Sequence, residues 1–555
     1  MTDHAAGNSV YAAFADSARR WPDRDILQVL PDTASVYQID PGALSYGAML
    51  EQSDRLADCF ANAGYTTGMR VALLLENRPV FFVCWLALNK MGISVVPLNP
   101  DLRVAELEYL IGHAEAALAI AIDPRIAELE QAAHNAGLNM PVLSPDVVAD
   151  PQGTVRTGRM ALPSPRSSAV VAAGATDPSE REAAVLYTSG TTGNPKGCVL
   201  PNTYFLLAGK WYAELGGIAD LHTDGERMLT PLPIFHMNAM AYSFMAMVTV
   251  GGCLTVLDRF HPGSWWQSVR ESRATCLHYL GVMPSMLMGA DASAADQDHT
   301  VRFGFGAGVD PKLQANFEQR FGFPLVEAWA MTETGAGAVV AANTADRLIG
   351  KSCLGVFGAQ IEYRIVDESG EQVAADAPGE LLVRHAGDNP RYGFFSEYYK
   401  DKPATDAAWA DGWFHTGDLV RQDKSHNVYF VDRKKNVIRR SGENIAAVEV
   451  ESILMRHSAI IAAAVAAVPD EIRGDEVFAC LQVRDPSEQL AVEICQWGVQ
   501  QMAYYKIPGY IAFVDTLPLT PTQKIQRAEL KRLAATLVDD ADTIDTRYLK
   551  KRQAL

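Results

Sequence analysis

Apolar residues come in short runs between polar turns, and the runs keep two different rhythms. In "RVALLLENRPVFFVCWLALNKMGISVVPLNP" the stretch Val71–Leu75 is unbroken and short. Such a run predicts a strand buried on both faces. Pro79 suits the first turn of a following helix, where its missing N–H costs nothing. Ser94–Leu98 then returns as a second buried strand. The pattern repeats with a helix around Arg103–His113 and a strand in "ALAIAI". Successive strand–helix–strand units predict a parallel sheet covered by helices.

Further along, the rhythm changes. From about 148 to 182 the text is rich in Ala, Pro, Ser and Gly without periodicity, which predicts a long loop or linker. "MLTPLPIFHMNAMAYSFMAMVTVGG" and "ATCLHYLGVMPSMLMGA" are again buried apolar segments ending in loops. "QIEYRIVDESGEQVAADAPGELLVR" alternates short strands with Asp-Glu-Ser-Gly and Pro-Gly turns, the mark of an antiparallel β subdomain. Past Asp432 comes a smaller α/β unit with helices near Ala447–His457 and Leu490–Met502 and strands "IIAAAVAAV", "EVFACLQV" and "YIAFV". The expected fold class is α/β. A large N-terminal domain, 1–432, holds parallel βαβ-type sheets plus the antiparallel β subdomain. A small α/β C-terminal domain, 433–540, follows, then a tail, 541–555, expected to fray because the text past Thr536 is polar.

Composition adds exclusions. With 48% hydrophobic and 21% charged residues a large core can be buried. No apolar run approaches the ~18 residues of a membrane span, and the first thirty residues lack a signal-peptide pattern. The eight cysteines show no metal or CxxC spacing and read as reduced core thiols in a cytoplasmic chain. A net charge of −18 disfavours a nucleic-acid or anionic-membrane surface, so an anionic ligand must be held by a few local cations. A homo-oligomer stays open.

"YTSGTTGNPKG", Tyr187–Gly197, supplies such a place. Backbone amides, hydroxyls and a single cation, Lys196, suit phosphate, and the apolar run before them predicts a strand feeding a ligand loop. It is not a P-loop, since Lys196 is preceded by Pro195 and followed by Gly197. A plain surface turn is the competing reading.

Four companions follow in order: "EAWAMTETG", "GWFHTGD", "DRKKNVIRRSGENI" and "LPLTPTQKIQR". Together the five resemble the core motifs of the adenylate-forming superfamily of acyl-CoA synthetases, adenylation domains and luciferases. The resemblance covers nearly the whole chain. "DGWFHTGD", "FVDRKKNVIRRSGENI" and "PDEIRGDEV" are most similar to acyl-CoA synthetases of the carnitine/crotonobetaine-CoA ligase type.

The resemblance implies a two-step reaction in which a carboxylate attacks the α-phosphate of ATP and a thiol then displaces AMP. It implies that Thr188, Ser189, Gly190, Thr191, Thr192, Gly193 and Lys196 hold phosphate. Lys524 would bridge carboxylate and α-phosphate, although Gln523 stands where the family usually has Gly. Thr332 would bond the α-phosphate and Glu333 would hold Mg²⁺, a hard cation suited to oxygen ligands. Taken alone, the Thr-Glu pair reads equally as a helix cap. Glu327, Ala328 and Trp329 would line the nucleotide, with Trp329-Ala330 standing where the family usually has Tyr-Gly. Asp418 and Arg433 would take the ribose hydroxyls. "GFGAGVD" lacks the spacing of a dinucleotide fingerprint, so Gly306, Ala307 and Gly308 read as backbone flanking adenine.

For the thiol step the resemblance implies rotation of the C-terminal domain about Lys435. Gly442 would let pantetheine pass close to the backbone, and Arg473 would meet the phosphates of coenzyme A or simply be a solvated charge. His236 stands where the family has a gate to the acyl channel, and a satisfied core histidine is the bland alternative. The implied acyl pocket, around His236–Phe244, Val282–Met286, Gly304–Gly308 and Ala328–Gly335, is apolar. It suits a small or medium acid. A carnitine-like one is included, since Tyr242, Phe244 and Trp329 can cage a quaternary ammonium. Two rivals remain: an adenylating enzyme that loads a carrier-protein thiol, and a catalytically dead nucleotide-binding scaffold. The segment "MNAMAYSF" carries no acid to pair an amine, which disfavours amino-acid loading.

Overall fold

The computed structural model describes residues 8–149, 162–165, 177–188, 194–367, 369–433, 437–518 and 525–551. Most of the expected linker, the heart of the expected phosphate loop (189–193), Lys435 and Lys524 lie outside these. The chain divides into two compact units. The first comprises Met1–Pro100, Ile111–Leu186 and Gly197–Asp432, the second Asp101–Leu110, Tyr187–Lys196 and Arg433–Leu555.

In the first unit, strand Arg70–Leu74 lies parallel to Ser94–Pro97 on one side and to Leu118–Ala121 on the other. All of its residues are buried, which is why its sequence shows no alternation. The intervening helix, Pro79–Lys90, starts on its proline and buries every side chain from Phe81 to Asn89. Its polar end closes inside the core: Asn89 Nδ2 donates to Asn202 Oδ1 at 2.8 Å, and Asn89 Oδ1 accepts from the Tyr11 amide at 2.9 Å. Among the described residues this sheet has seven strands, with Lys196–Pro201 paired to Glu397–Tyr398 at its far edge.

A second, eight-stranded sheet sets Leu325–Trp329, Phe303–Ala307 and Cys276–Leu280 side by side and parallel. Their carboxyl ends open onto loops, the usual ligand side of such sheets. Gly306 permits the close packing there, since a Cβ on it would lie 2.2 Å from the Tyr279 carbonyl. A five-stranded sheet completes the unit, and its strand Phe414–Gln422 pairs antiparallel with Gly379–His385, which pairs likewise with Ile361–Val366. This is the antiparallel subdomain expected from the turn pattern.

The second unit is built on the long hairpin Ile460–Asp470 with Gly474–Val483, extended by Tyr510–Phe513 in parallel. Helix Arg527–Leu537 covers it through Leu530 and Ala534, packed with Val468, Phe478 and Cys480. Buried charges here are shared: Lys506 Nζ reaches Glu106 at 2.6 Å and Glu449 at 2.7 Å.

The tail corrects the expectation of fraying. Ile544–Asp545 pairs antiparallel with Tyr510 and Ile511, and the Thr546 hydroxyl donates to the Pro508 carbonyl at 2.8 Å. Lys550 is fully buried, donating to Glu476 and to the Ile507 carbonyl, while Arg440 Nε binds the same Glu476 at 2.9 Å. Polar text predicted solvent. A buried carboxylate that needs cations instead draws the tail in.

Candidate active site

Two strand ends carry most of the first unit's candidates. Gly306 pairs with Glu327 across neighbouring strands, so the loop Gly306–Val309 and the turn after Trp329 leave the sheet together. The buried Glu327 carboxylate faces into the protein. It accepts from the Gly308 amide at 2.9 Å, the Val309 amide at 3.2 Å and the Tyr279 hydroxyl at 2.6 Å. Burial pushes its pKa up, and these three donors oppose the shift. Glu327 thus braces the glycine loop from behind.

Trp329, 6% exposed, turns its indole edge toward the antiparallel subdomain, where Nε1 donates to Asp418 Oδ2 at 2.8 Å. Its ring meets Phe357 edge-on at 6.1 Å. Asp418 is 1% exposed in the middle of its strand, and its own amide donates to the Thr416 hydroxyl at 3.0 Å. A routine Gly-Asp turn would sit in solvent, whereas this carboxylate is held inside the fold.

Beyond Trp329 the chain makes a turn through the half-buried Thr332 and the buried Glu333 into a short 3-10 segment, Gly335–Gly337. No side chain caps that segment, so the helix-cap reading of the Thr-Glu pair does not hold. Instead Glu333 Oε1 accepts from the Tyr398 hydroxyl at 2.8 Å, and its carbonyl accepts from the Phe395 amide at 2.9 Å. The turn needs glycine at Gly335, where φ is +47° and a Cβ would lie 2.3 Å from the Tyr204 ring.

His236 is partly buried, with its ring 4.7 Å from Phe235, just ahead of a π-helical stretch, Asn238–Phe244. A π-helix closes its backbone hydrogen bonds five residues apart. Asn238 and Ser243 use that spacing to converge on His278: Nδ1 lies 2.8 Å from Asn238 Oδ1 and 2.9 Å from Ser243 Oγ. Nε2 lies 3.2 Å from the Tyr212 hydroxyl. Burial drives the His278 pKa down to about 3, so the ring stays neutral.

Sequence reasoning missed His278 and Tyr398. The first sits in "CLHYL", where an apolar run hides one polar network; the second sits in the polar stretch "SEYYKDK", far from Glu333 in sequence.

Thr188, Lys196, Arg433, Gly442 and Arg473 belong to the second unit. Thr188 ends one strand and Lys196 begins the next, the two flanks of the candidate phosphate loop. The two coenzyme A candidates adjoin. The Ser441 amide donates to the Arg473 carbonyl at 2.9 Å, and the exposed Arg473 guanidinium reaches the Ser441 hydroxyl at 3.4 Å. Ser441 and Gly442 both have positive φ, +50° and +91°, which makes a tight turn with open backbone. The structure therefore groups the candidates by unit: Gly306–Gly308, Glu327–Trp329, Thr332, Glu333, Asp418 and His236 in the first, the flanks of the phosphate loop and the Gly442–Arg473 pair in the second.

A glycine loop braced by Glu327, a buried carboxylate bonded by Trp329 and a second buried carboxylate in the next turn stand together in the first unit. The chain belongs to the AMP-binding enzyme family, whose model matches residues 14–399, with the AMP-binding enzyme C-terminal domain matching 449–524. This places it among AMP-forming acid–thiol ligases. Among curated relatives it is 28% identical over 516 residues to the crotonobetaine/carnitine–CoA ligase of Salmonella enteritidis PT4, covering 91% of this chain and 97% of the relative. Among solved structures it resembles an o-succinylbenzoate CoA synthetase double mutant from Bacillus subtilis (TM-score 0.77, 22% identity, 93% of this chain and 97% of that one). A Mycobacterium tuberculosis fatty acyl CoA synthetase gives a TM-score of 0.65 at 22% identity, covering 95% and 99%. At these identities the solved structures support the fold alone.

Proposed function

We propose that the protein is an ATP-dependent carboxylate–CoA ligase acting on a small or medium carboxylic acid, a carnitine-like acid included. In the first half-reaction a carboxylate oxygen bonds the α-phosphorus of ATP and pyrophosphate leaves. In the second, the thiol sulfur of coenzyme A bonds the acyl carbon, AMP leaves with the electron pair, and the thiol proton passes to solvent.

One observation carries this reading: two buried carboxylates, Glu333 in the turn beyond a parallel strand end and Asp418 in the middle of an antiparallel strand, are linked through Trp329 and the turn that follows it. Asp418 would accept the ribose hydroxyls with Arg433 as a second contact, and the Gly306–Gly308 backbone would flank adenine. Thr332 and the loop from Thr188 to Lys196 would hold phosphate oxygens. Lys524 would offset the repulsion between two anions as they meet, the largest electrostatic demand of the step. His236 would stand at the acyl channel, and Gly442 and Arg473 would receive coenzyme A.

Magnesium fits this donor set. Mg²⁺ prefers one or two carboxylates plus substrate phosphates over an all-protein cage. Glu333 is a carboxylate 7% exposed, and among the described residues no group of three or more His, Cys, Asp or Glu could hold a metal alone. When bound, Mg²⁺ would neutralise triphosphate charge. Glu333 would hold it, and Thr332 would bond the adjoining phosphate.

A cytoplasmic setting suits the reading, with the described cysteines as thiols and no described helix long and apolar enough to cross a membrane. The test is pyrophosphate release from ATP, Mg²⁺ and a panel of acids, followed by acyl transfer. Release with free coenzyme A as acceptor supports the ligase. Transfer only to a carrier-protein thiol would establish the rival loader, and ATP binding without release for any acid would establish the scaffold.

A further inference from the structure

Glu333 is tied twice to the segment around Tyr398. Its carbonyl accepts from the Phe395 amide at 2.9 Å, and its side chain accepts from the Tyr398 hydroxyl at 2.8 Å. That segment is itself fixed. Tyr398 pairs in antiparallel register with Cys198, its amide donates to the Thr405 hydroxyl at 3.0 Å, and Phe395 packs edge-on against its ring at 4.8 Å. A rigid ring therefore delivers one donor to one carboxylate oxygen, Oε1.

We infer that Tyr398 is a positioning residue for the metal: it holds Oε1 of Glu333 so that the carboxylate presents its other oxygen to the magnesium of Mg-ATP. The inference rests on the reading of Glu333 as magnesium ligand. A small cation with a strict octahedral shell takes carboxylates through one oxygen at a set angle. An unanchored glutamate has to lose rotamer freedom on binding, and a carboxylate already fixed by a neighbouring donor has less to lose. Partners of this kind commonly change metal affinity by about 10–100-fold when removed.

The test measures ATP affinity by calorimetry, without any acid, once in EDTA and once in Mg²⁺. The ratio of the two dissociation constants is the coupling between metal and nucleotide. Tyr398→Phe keeps the ring and removes only the hydroxyl. It should shrink that ratio by about 10–100-fold while leaving the EDTA constant in place, and the melt should fall by a few degrees but stay cooperative, since a buried acceptor loses one donor. Glu333→Gln should abolish most of the coupling, and the double variant should lose little more than Glu333→Gln alone, because both act through one carboxylate. Equal weakening of ATP in EDTA and Mg²⁺ by Tyr398→Phe would reveal a purely structural role and overturn the inference, as would an unchanged ratio. A wild-type ratio that Glu333→Gln leaves untouched would sink the assignment of Glu333, and this inference with it. Pyrophosphate release by the wild-type protein is scored separately, so the proposed activity stands or falls on its own.

Discussion

The indole N–H of Trp329 donates to Oδ2 of Asp418 at 2.8 Å, joining the end of a parallel strand to the middle of an antiparallel one. The bond fixes a buried carboxylate that the proposed reaction needs for the ribose. It also gives the tryptophan a task that the ring of the family's usual tyrosine, at the same place, would have to meet differently. Trp329→Phe keeps a ring but deletes the donor. Leaving a buried acceptor short of one partner costs about 1–3 kcal/mol. The expected result is a lower denaturant midpoint together with weaker AMP binding. Loss of stability with unchanged AMP affinity would separate Trp329 from the nucleotide.

Lys524→Ala should slow adenylation by about 10²–10³-fold or more, as expected when a cation that stabilises transition-state charge is lost. Acyl transfer from supplied acyl-AMP to coenzyme A should persist. Single-turnover assays of the two half-reactions check this, and equal loss in both would remove Lys524 from its assigned role.

Arg473→Ala probes the thiol side. An exposed ion pair with a coenzyme A phosphate contributes up to about 1 kcal/mol, roughly a fivefold rise in the KM for coenzyme A. Acid-dependent pyrophosphate release should be unchanged. A KM that does not move would return Arg473 to the solvated surface.

His278 sets an acid limit on the first unit. Its folded pKa of about 3 lies below the ordinary 6.5, so between those values the unfolded chain binds a proton that the folded one refuses. Stability from this group is complete above about pH 6.5 and falls as the pH drops toward 3, by about 1.4 kcal/mol per pH unit at most. His278→Gln should lower stability at pH 7 by breaking the Asn238–Ser243 clamp, yet narrow the difference between pH 7 and pH 5. Urea midpoints at the two pH values test it, and a difference as wide as the wild type's would show that another group sets the acid limb.

Much of the architecture was legible because burial leaves a plain trace in the text. Val71–Leu75 could be read as a two-sided buried strand, and the turns after Asp367 and Ala377 as antiparallel returns. Motifs reached Glu333 and Asp418 because the residue types stay together in sequence. Tyr398 was hidden because its bond to Glu333 is made through the fold, between distant segments. The π-helical clamp was hidden for another reason: Asn238 and Ser243 look like two stray polar residues until the backbone widens into a π-helix and both reach His278. Glu327 was read as a nucleotide contact by its neighbours, and only the direction of its carboxylate shows that it holds the loop from the inside.

The buried tail bears on how the molecule is made. Glu476 lies fully inside the second unit between Arg440 and Lys550, and the strand Ile544–Asp545 closes that sheet just before Lys550 goes in. Translation must therefore pass Lys550 before the unit can seat its last strand and complete the hydrogen bonds to Glu476. The large unit has most of its chain long before then and can begin folding while it is still attached to the ribosome. A stalled or clipped product ending near 540 would carry the large unit together with a second unit whose sheet lacks its last strand and whose Glu476 lacks the Lys550 donor.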